Sequence, residues 1–417
     1  MRKKIDFIVP PVSGHLFPML YLATQLKEQN PDKYDIRFIS GLGKKEVIEA
    51  AGFPVHILMP EDPYIFDRLS DVEVGIPMIH QMNEVSKYTS IFTEQIQSAL
   101  TTRKTELAVV DFITYPGVFA VESLKLPWIT CIPTPFAIEN IDGTPAFLGG
   151  LYPSTSPIGK LRDWGGRMLI QTVKQLLIFK NRKLLKPYLP PLYNEIKQER
   201  IYSSYSILAM GLPSFQFPRT WPEQLKFVGY GVLNEEQNLD IPFSEFKYSI
   251  LVTTGTMMPK ENKQLREILM LVASQFPDFL FVLSGGNAKI TDSFQHKNIL
   301  EVGFVPYDTY LPKFDYVVHH GGAGIVNICI KYAKPSIVIP KYNDQPDFAA
   351  RIDYFDIGIW LKKTNDSEFV KALKQLIACK SWPMLTQLQK EAQQLDTGPL
   401  VASEVDRLLA LIGDETK

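Results

Sequence analysis

Cysteine is scarce in this chain: Cys131, Cys329 and Cys379 stand far apart among 417 residues. An odd, sparse set without a CxxC pair leaves no material for a disulfide framework or a thiolate metal site. The six histidines form no HExxH, so no metal site is expected. Charge of one sign is also lacking. With 44 basic and 45 acidic residues the net charge is −1, which gives no electrostatic reason for a nucleic-acid partner. Long apolar runs are missing too. No stretch reaches the roughly 18 residues needed to span a bilayer. The basic start Met1-Arg2-Lys3-Lys4 is followed only by Phe7 to Val9 before Pro10-Pro11, too short for a signal peptide. A cytoplasmic chain is the expectation.

What is present is a globular composition, 45% hydrophobic and 21% charged, on a length that implies two domains. Ile5–Val9 reads as a strand and Pro10 to Gly14 as a turn. His15–Gln29 reads as a helix with an apolar stripe at Leu16, Met19, Leu20, Ala23 and Leu26. Strands follow at Ile36–Ser40, Val55–Leu58, Leu107–Asp111 and Pro127–Ile132, with a helix over Lys44–Ala51 closed by Gly52. Residues 60–100 read as less regular, and residues 133–157 as long loops. A second alternating series begins at Tyr248–Thr254 and continues with Phe279–Leu283, Ile299–Val302, Tyr316–Val318 and Ser336–Ile339. Residues 384–412 read as helix interrupted at Gly398-Pro399. Strands alternating with helices predict an α/β fold with parallel sheets. The predicted division is 1–230, a linker over 231–247, a second domain over 248–395, and a tail over 396–417.

The stretch richest in chemistry is His319-His320-Gly321-Gly322-Ala323-Gly324-Ile325, between a predicted strand and a predicted helix. Glycines there let a ligand approach the backbone, and the helix start offers free N–H groups to an anion. Beyond the next strand come Asp344 and Gln345, a carboxylate and a carboxamide suited to vicinal hydroxyls. Diphosphate then hydroxyls, in that order, describes a nucleotide sugar. This ordered pair resembles the nucleotide-sugar signature of glycosyltransferase family 1. The resemblance reaches the N-terminus, where Gly14-His15-Leu16-Phe17-Pro18 is similar to that family's GHxxP start.

The resemblance implies the GT-B fold: two facing Rossmann-like domains with parallel sheets, and a C-terminal helix returning to the first. It implies that His15 is the base that activates an acceptor hydroxyl, supported by Asp111. Gly255 and Thr256 would touch the diphosphate with His320, Gly321, Gly322, Ala323 and Gly324. Phe304 would stack on the base and the Val305 backbone would read it. Asp344 and Gln345 would hold the sugar. Gly14, Phe66, Met82, Phe112 and Phe136 are the expected acceptor-binding residues. Two departures stand out. Tyr307 replaces a glutamine of the family pattern, and Ile328 replaces a glutamate that many members use on the ribose, leaving Asn327 as a substitute. No D-x-D occurs, so the expected reaction is inverting and metal-independent, without a cofactor. It moves a hexose, glucose above all, from UDP-glucose or a deoxyribose relative to an apolar small molecule. A nucleotide-sugar epimerase of the same fold and a non-catalytic partner protein are the alternatives. Residues 160–186 carry eight basic residues and one acid, interleaved with apolar ones. They suggest peripheral contact with the inner membrane, or an exposed helix with a buried stripe.

Overall fold

The computed structural model describes residues 2–70, 76–139, 141–185, 199–231, 233, 237–253, 255, 259–285 and 294–415. Two seven-stranded sheets organise them. The first contains β1 (Lys3–Ile8), β2 (Tyr34–Ser40), β3 (Val55–Ile57), β4 (Leu107–Asp111), β5 (Trp128–Ile132), β6 (Ile207–Ala209) and β7 (Leu225–Phe227). Its order is β3-β2-β1-β4-β5-β6-β7, parallel throughout. The second contains β8 (Tyr248–Thr253), β9 (Phe279–Ser284), β10 (Phe294–His296), β11 (Ile299–Val302), β12 (Tyr316–His319), β13 (Ser336–Val338) and β14 (Gly358–Trp360). Its order is β10-β11-β9-β8-β12-β13-β14, and only β10 runs antiparallel to its neighbour. The fold is α/β of the GT-B kind.

The strands are buried on both faces, as covered parallel sheets require. In the first sheet Ile5, Phe7 and Val9 face Leu16, Met19 and Leu20 of the helix Ser13–Gln29. Ile8, Ala108 and Val110 face the other way, onto Phe92, Ile96 and Leu100. The C-terminal helix Thr397–Glu415 adds Val401, Val405 and Leu408 to the first of these cores, so the chain's end does return to its beginning. A shared core joins the halves, with Phe136, Leu212 and Phe215 packed among Val326, Ile330, Phe348 and Leu385.

Three sequence expectations need correction. Residues 76–103 form one continuous helix, where irregular structure was expected. Phe92, Ile96, Ala99 and Leu100 are its buried stripe, a 3.6-residue period that the surrounding polar residues obscure. The break near the C-terminus falls at Leu395–Asp396, between the helices Pro383–Gln394 and Thr397–Glu415. Gly398-Pro399 lies in the first turn of the second helix, where proline's missing N–H costs nothing. Strands β6, β7, β10 and β14 were not expected. Each is three residues long, too short to show a period.

In the first sheet the order turns at β1 and β4, in the second at β8 and β12. Loops leaving such neighbours diverge and open a crevice at the strands' C-terminal ends. The candidate site is built from those four loops.

Candidate active site

Pairing of β1 with β4 sets Ile8 opposite Val110, so Asp111 ends its strand beside the loop that carries His15. His15 Nδ1 lies 3.0 Å from Asp111 Oδ2. The Asp111 side chain is fully buried and that of His15 one-fifth exposed. The Ile113 N–H donates to Asp111 Oδ1 at 3.2 Å, fixing the carboxylate from behind. Burial lowers the His15 pKa, but the charge and hydrogen bond of Asp111, with help from Asp344, more than reverse this and leave it above 6.5. The arrangement puts a proton on Nδ1 and leaves Nε2 as the basic nitrogen. Phe112 stacks on the imidazole, with centroids 5.4 Å apart.

Across the crevice stands the glycine turn. β12 pairs with β8 so that His319 faces Thr253, which brings the next turn against Gly255. The His320 ring occupies the space a side chain would need. A Cβ on Gly255 would sit 2.7 Å from its Cε1, and one on Gly322 2.5 Å from its Nε2. Gly255 and Gly321 also have φ of +77° and +90°, where a side chain is strained. The helix Ala323–Lys331 has Gly322 as its N-cap and no side-chain cap. Its first N–H groups therefore remain open to an anion, and its dipole favours one. His320 Nδ1 is buried without a partner among the described residues, and burial pushes its pKa down to about 4. His319 is committed elsewhere. Its Nδ1 accepts the Gly321 N–H at 3.0 Å, and burial holds it neutral, at about 3.

Asp344 lies at the start of the helix Gln345–Tyr354. Burial pushes its carboxyl up to about 6, against its own N–H and the opposing charge of His15. The two residues thus act on each other across the crevice. Gln345 differs from expectation in part. Its Oε1 accepts from the N–H groups of Lys341 at 2.8 Å and Tyr342 at 3.2 Å, so only its amide nitrogen is left for a hydroxyl. Phe304 is half-buried and tilted against Tyr307 at 6.2 Å, leaving ring surface for a base. Val305 is fully buried. The Tyr307 hydroxyl lies 3.3 Å from Thr253 Oγ1, so it braces β8.

The remaining expected residues divide. Gly14 has open space where a side chain would project. Phe66 stacks on Phe92 at 5.1 Å and abuts Gly41, forming the floor near the β1 and β2 tips. Phe136 is 2% exposed, edge-on to Phe348 at 4.9 Å and under Arg351 at 4.0 Å. It belongs to the core joining the halves and presents no surface to an acceptor. Thr256 and the side chain of Met82 lie outside the described residues. Tyr230 was missed. Its hydroxyl would sit 3.3 Å from a Cβ on Gly324, and the charge of Asp344 reaches it. Only the flanking Gly229 and Gly231 marked the place, and they read as a turn.

Ile328 is fully buried in the core formed by Leu251, Val282, Val302 and Val305. Asn327 Nδ2 donates to the Ala323 carbonyl at 2.8 Å and its Oδ1 faces Gly211, toward the first half and away from a ribose. A carboxylate at position 328 would have no partner there, and an uncompensated buried charge costs roughly 3–5 kcal/mol. Ile328→Glu is therefore expected to lower the denaturant midpoint by that amount. An unchanged midpoint would mean that the glutamate reaches the crevice.

Comparison with known proteins agrees with this geometry. Residues 287–399, which hold the glycine turn and Asp344-Gln345, match the family "Erythromycin biosynthesis protein CIII-like, C-terminal domain". The chain is 24% identical over 388 residues to 4'-demethylrebeccamycin synthase of Lentzea aerocolonigenes, covering 88% of this chain and 90% of that one. It is 27% identical over 179 residues to sterol 3-beta-glucosyltransferase of Saccharomyces cerevisiae, 39% of this chain but only 15% of that protein. The solved structure of the glycosyltransferase VinC in complex with DTDP superposes with a TM-score of 0.65 at 20% identity, over 98% of this chain and 99% of that one. Fold, site and relatives together place the chain among the family 1 glycosyltransferases of natural-product type.

Proposed function

We propose that the chain is an inverting, metal-independent hexosyltransferase, moving glucose from UDP-glucose or dTDP-glucose to a hydroxyl of an apolar small molecule. One observation carries this reading. A histidine–carboxylate pair at 3.0 Å faces, across the crevice, the carboxylate Asp344 and an uncapped helix start. His15 Nε2 takes the acceptor proton, and the acceptor oxygen attacks the anomeric carbon. The bond to the diphosphate breaks on the opposite face, so configuration inverts. The leaving diphosphate gathers charge beside the free N–H groups of Ala323 and Gly324 and His320, where fixed dipoles stabilise it. Phe66 and Phe112 supply apolar surface next to His15, in keeping with an acceptor as apolar as the sterol of the yeast relative. An epimerase would need carboxylates around the sugar and no GH pair, and a non-catalytic partner would have no use for the His15–Asp111 contact.

The test is transfer from the two donors to a panel of hydroxylated apolar acceptors, with product configuration read by NMR. The reading expects inversion and a rate unchanged by excess chelator. Retention, or activity lost to chelator and restored by manganese, overturns it. Because Ile328 offers nothing to a 2′-hydroxyl, kcat/KM for the two donors should agree within about tenfold, roughly 1.4 kcal/mol. The DTDP-bound VinC relative is in keeping with this. A preference for UDP-glucose above about a hundredfold would show that another group holds the ribose.

A further inference from the structure

The helix Pro157–Lys180 is amphipathic the wrong way round. A helix on a soluble domain turns its apolar stripe inward. Here Gly159 and Asp163 are the buried residues. Arg167 reaches inward to the Gly143 carbonyl, and Lys174 pairs with Glu139 and Glu199, each at 2.6 Å. The outward face carries Ile158, Leu161, Trp164, Leu169, Leu176 and Phe179, which are 55% to 82% exposed. Their spacing places them on one stripe along 24 residues, about 36 Å. This removes the expectation of a buried apolar stripe.

Charge says what covers the face. Its one acid, Asp163, is buried and bound to Arg162 at 2.7 Å. Lys160 at one end and Lys180 and Lys183 at the other are exposed and have no ion-pair partner among the described residues. Arg182 adds a fourth cation, stacked on Phe179 at 4.1 Å. Two copies joined through this face by a two-fold axis would set the Lys160 end of each against the Lys180–Lys183 end of the other. Like charges would meet with no acid between them. An anionic lipid surface complements both the stripe and its rim. No described helix is long and apolar enough to cross a membrane, so the helix would lie along it. We propose that Pro157–Lys180, with Lys183, docks this protein on an anionic bilayer, Trp164 and Phe179 entering the acyl boundary.

Co-sedimentation with vesicles tests this without reference to donor or acceptor. Wild-type protein should pellet at low salt with vesicles containing phosphatidylglycerol, and not with phosphatidylcholine alone. Binding should weaken at 1 M salt, where the screening length falls to about 3 Å. Each cation near such a surface contributes about fivefold. Lys160→Glu, Lys180→Glu and Lys183→Glu together should therefore weaken binding by on the order of a hundredfold or more. Leu161→Gln, Leu176→Gln and Phe179→Gln together should abolish it without lowering the melting temperature, because these side chains pack on nothing. Three results overturn the proposal. Wild type could stay in the supernatant with phosphatidylglycerol vesicles at low salt. The apolar triple variant could pellet as well as wild type. Light scattering could show a dimer, lost in that variant, that binds no vesicle.

Discussion

His15→Ala is expected to cut the transfer rate by about 10²–10⁴, the range for a positioned general base, while leaving donor affinity within a few-fold of wild type. The separation follows from where the groups stand. His15 lies on the first-sheet side, held by Asp111 at 3.0 Å and flanked by Phe112. The groups proposed to hold the donor, namely His320, the start of the helix Ala323–Lys331, Phe304 and Asp344, stand on the second-sheet side. Removing the imidazole takes away the proton acceptor and one opposing charge from Asp344. It leaves the N–H groups at Gly322 to Gly324 untouched. The loss should therefore appear in kcat, with the nucleotide-sugar Kd preserved when measured by calorimetry. Equal loss of donor binding in a folded variant would move His15 from base to donor ligand. The fold should survive, because the side chain is partly exposed and its helix is held by Leu16, Met19 and Leu20.

The parts legible in the sequence were those where one local rule acts alone. β4 and β11 lie where their apolar runs predicted, at Leu107–Asp111 and Ile299–Val302. The glycine turn was visible because a ring must lie against Gly255 and Gly322 and no other residue leaves it room. The His15–Asp111 pairing, 96 residues apart, was reachable because parallel strands put their tips on one edge. What failed to show depends on a partner from elsewhere in the chain. Phe136 reads like any aromatic in a cleft loop, and only the fold sets it against Phe348 and Arg351. Gln345 reads as a sugar ligand, yet its oxygen ties down Lys341 and Tyr342. Tyr230 gains its place only when the halves meet. Over residues 157–180 the period was readable, but its sense was not. Periodicity gives a stripe, whereas its direction depends on Glu139 and Glu199 drawing Lys174 inward.

The second large effect is expected from Asp111→Asn, and pH separates it from mere loss of structure. With a carboxylate on Nδ1, the imidazole keeps its proton there and its lone pair on Nε2 toward the acceptor. An asparagine can instead donate to Nδ1, which puts the proton on Nε2 and removes the base. In acyl-transfer triads this wrong tautomer costs about 10⁴ in rate, and a similar loss is expected here. The residual rate carries the diagnostic. Wild-type activity should rise with pH through a pKa above 6.5, because Asp111, aided by Asp344, outweighs the lowering by burial. Without the Asp111 charge, burial dominates and the rising limb should move to lower pH. Stability should change in the same sense. A raised histidine pKa contributes stability fully below the unfolded value near 6.5 and loses it as pH rises through the folded value. The variant should therefore be destabilised more at mildly acidic pH than above the wild-type pKa. A kcat loss with the limb unmoved, and with equal destabilisation at all pH, would mean that Asp111 only packs against the His15 loop.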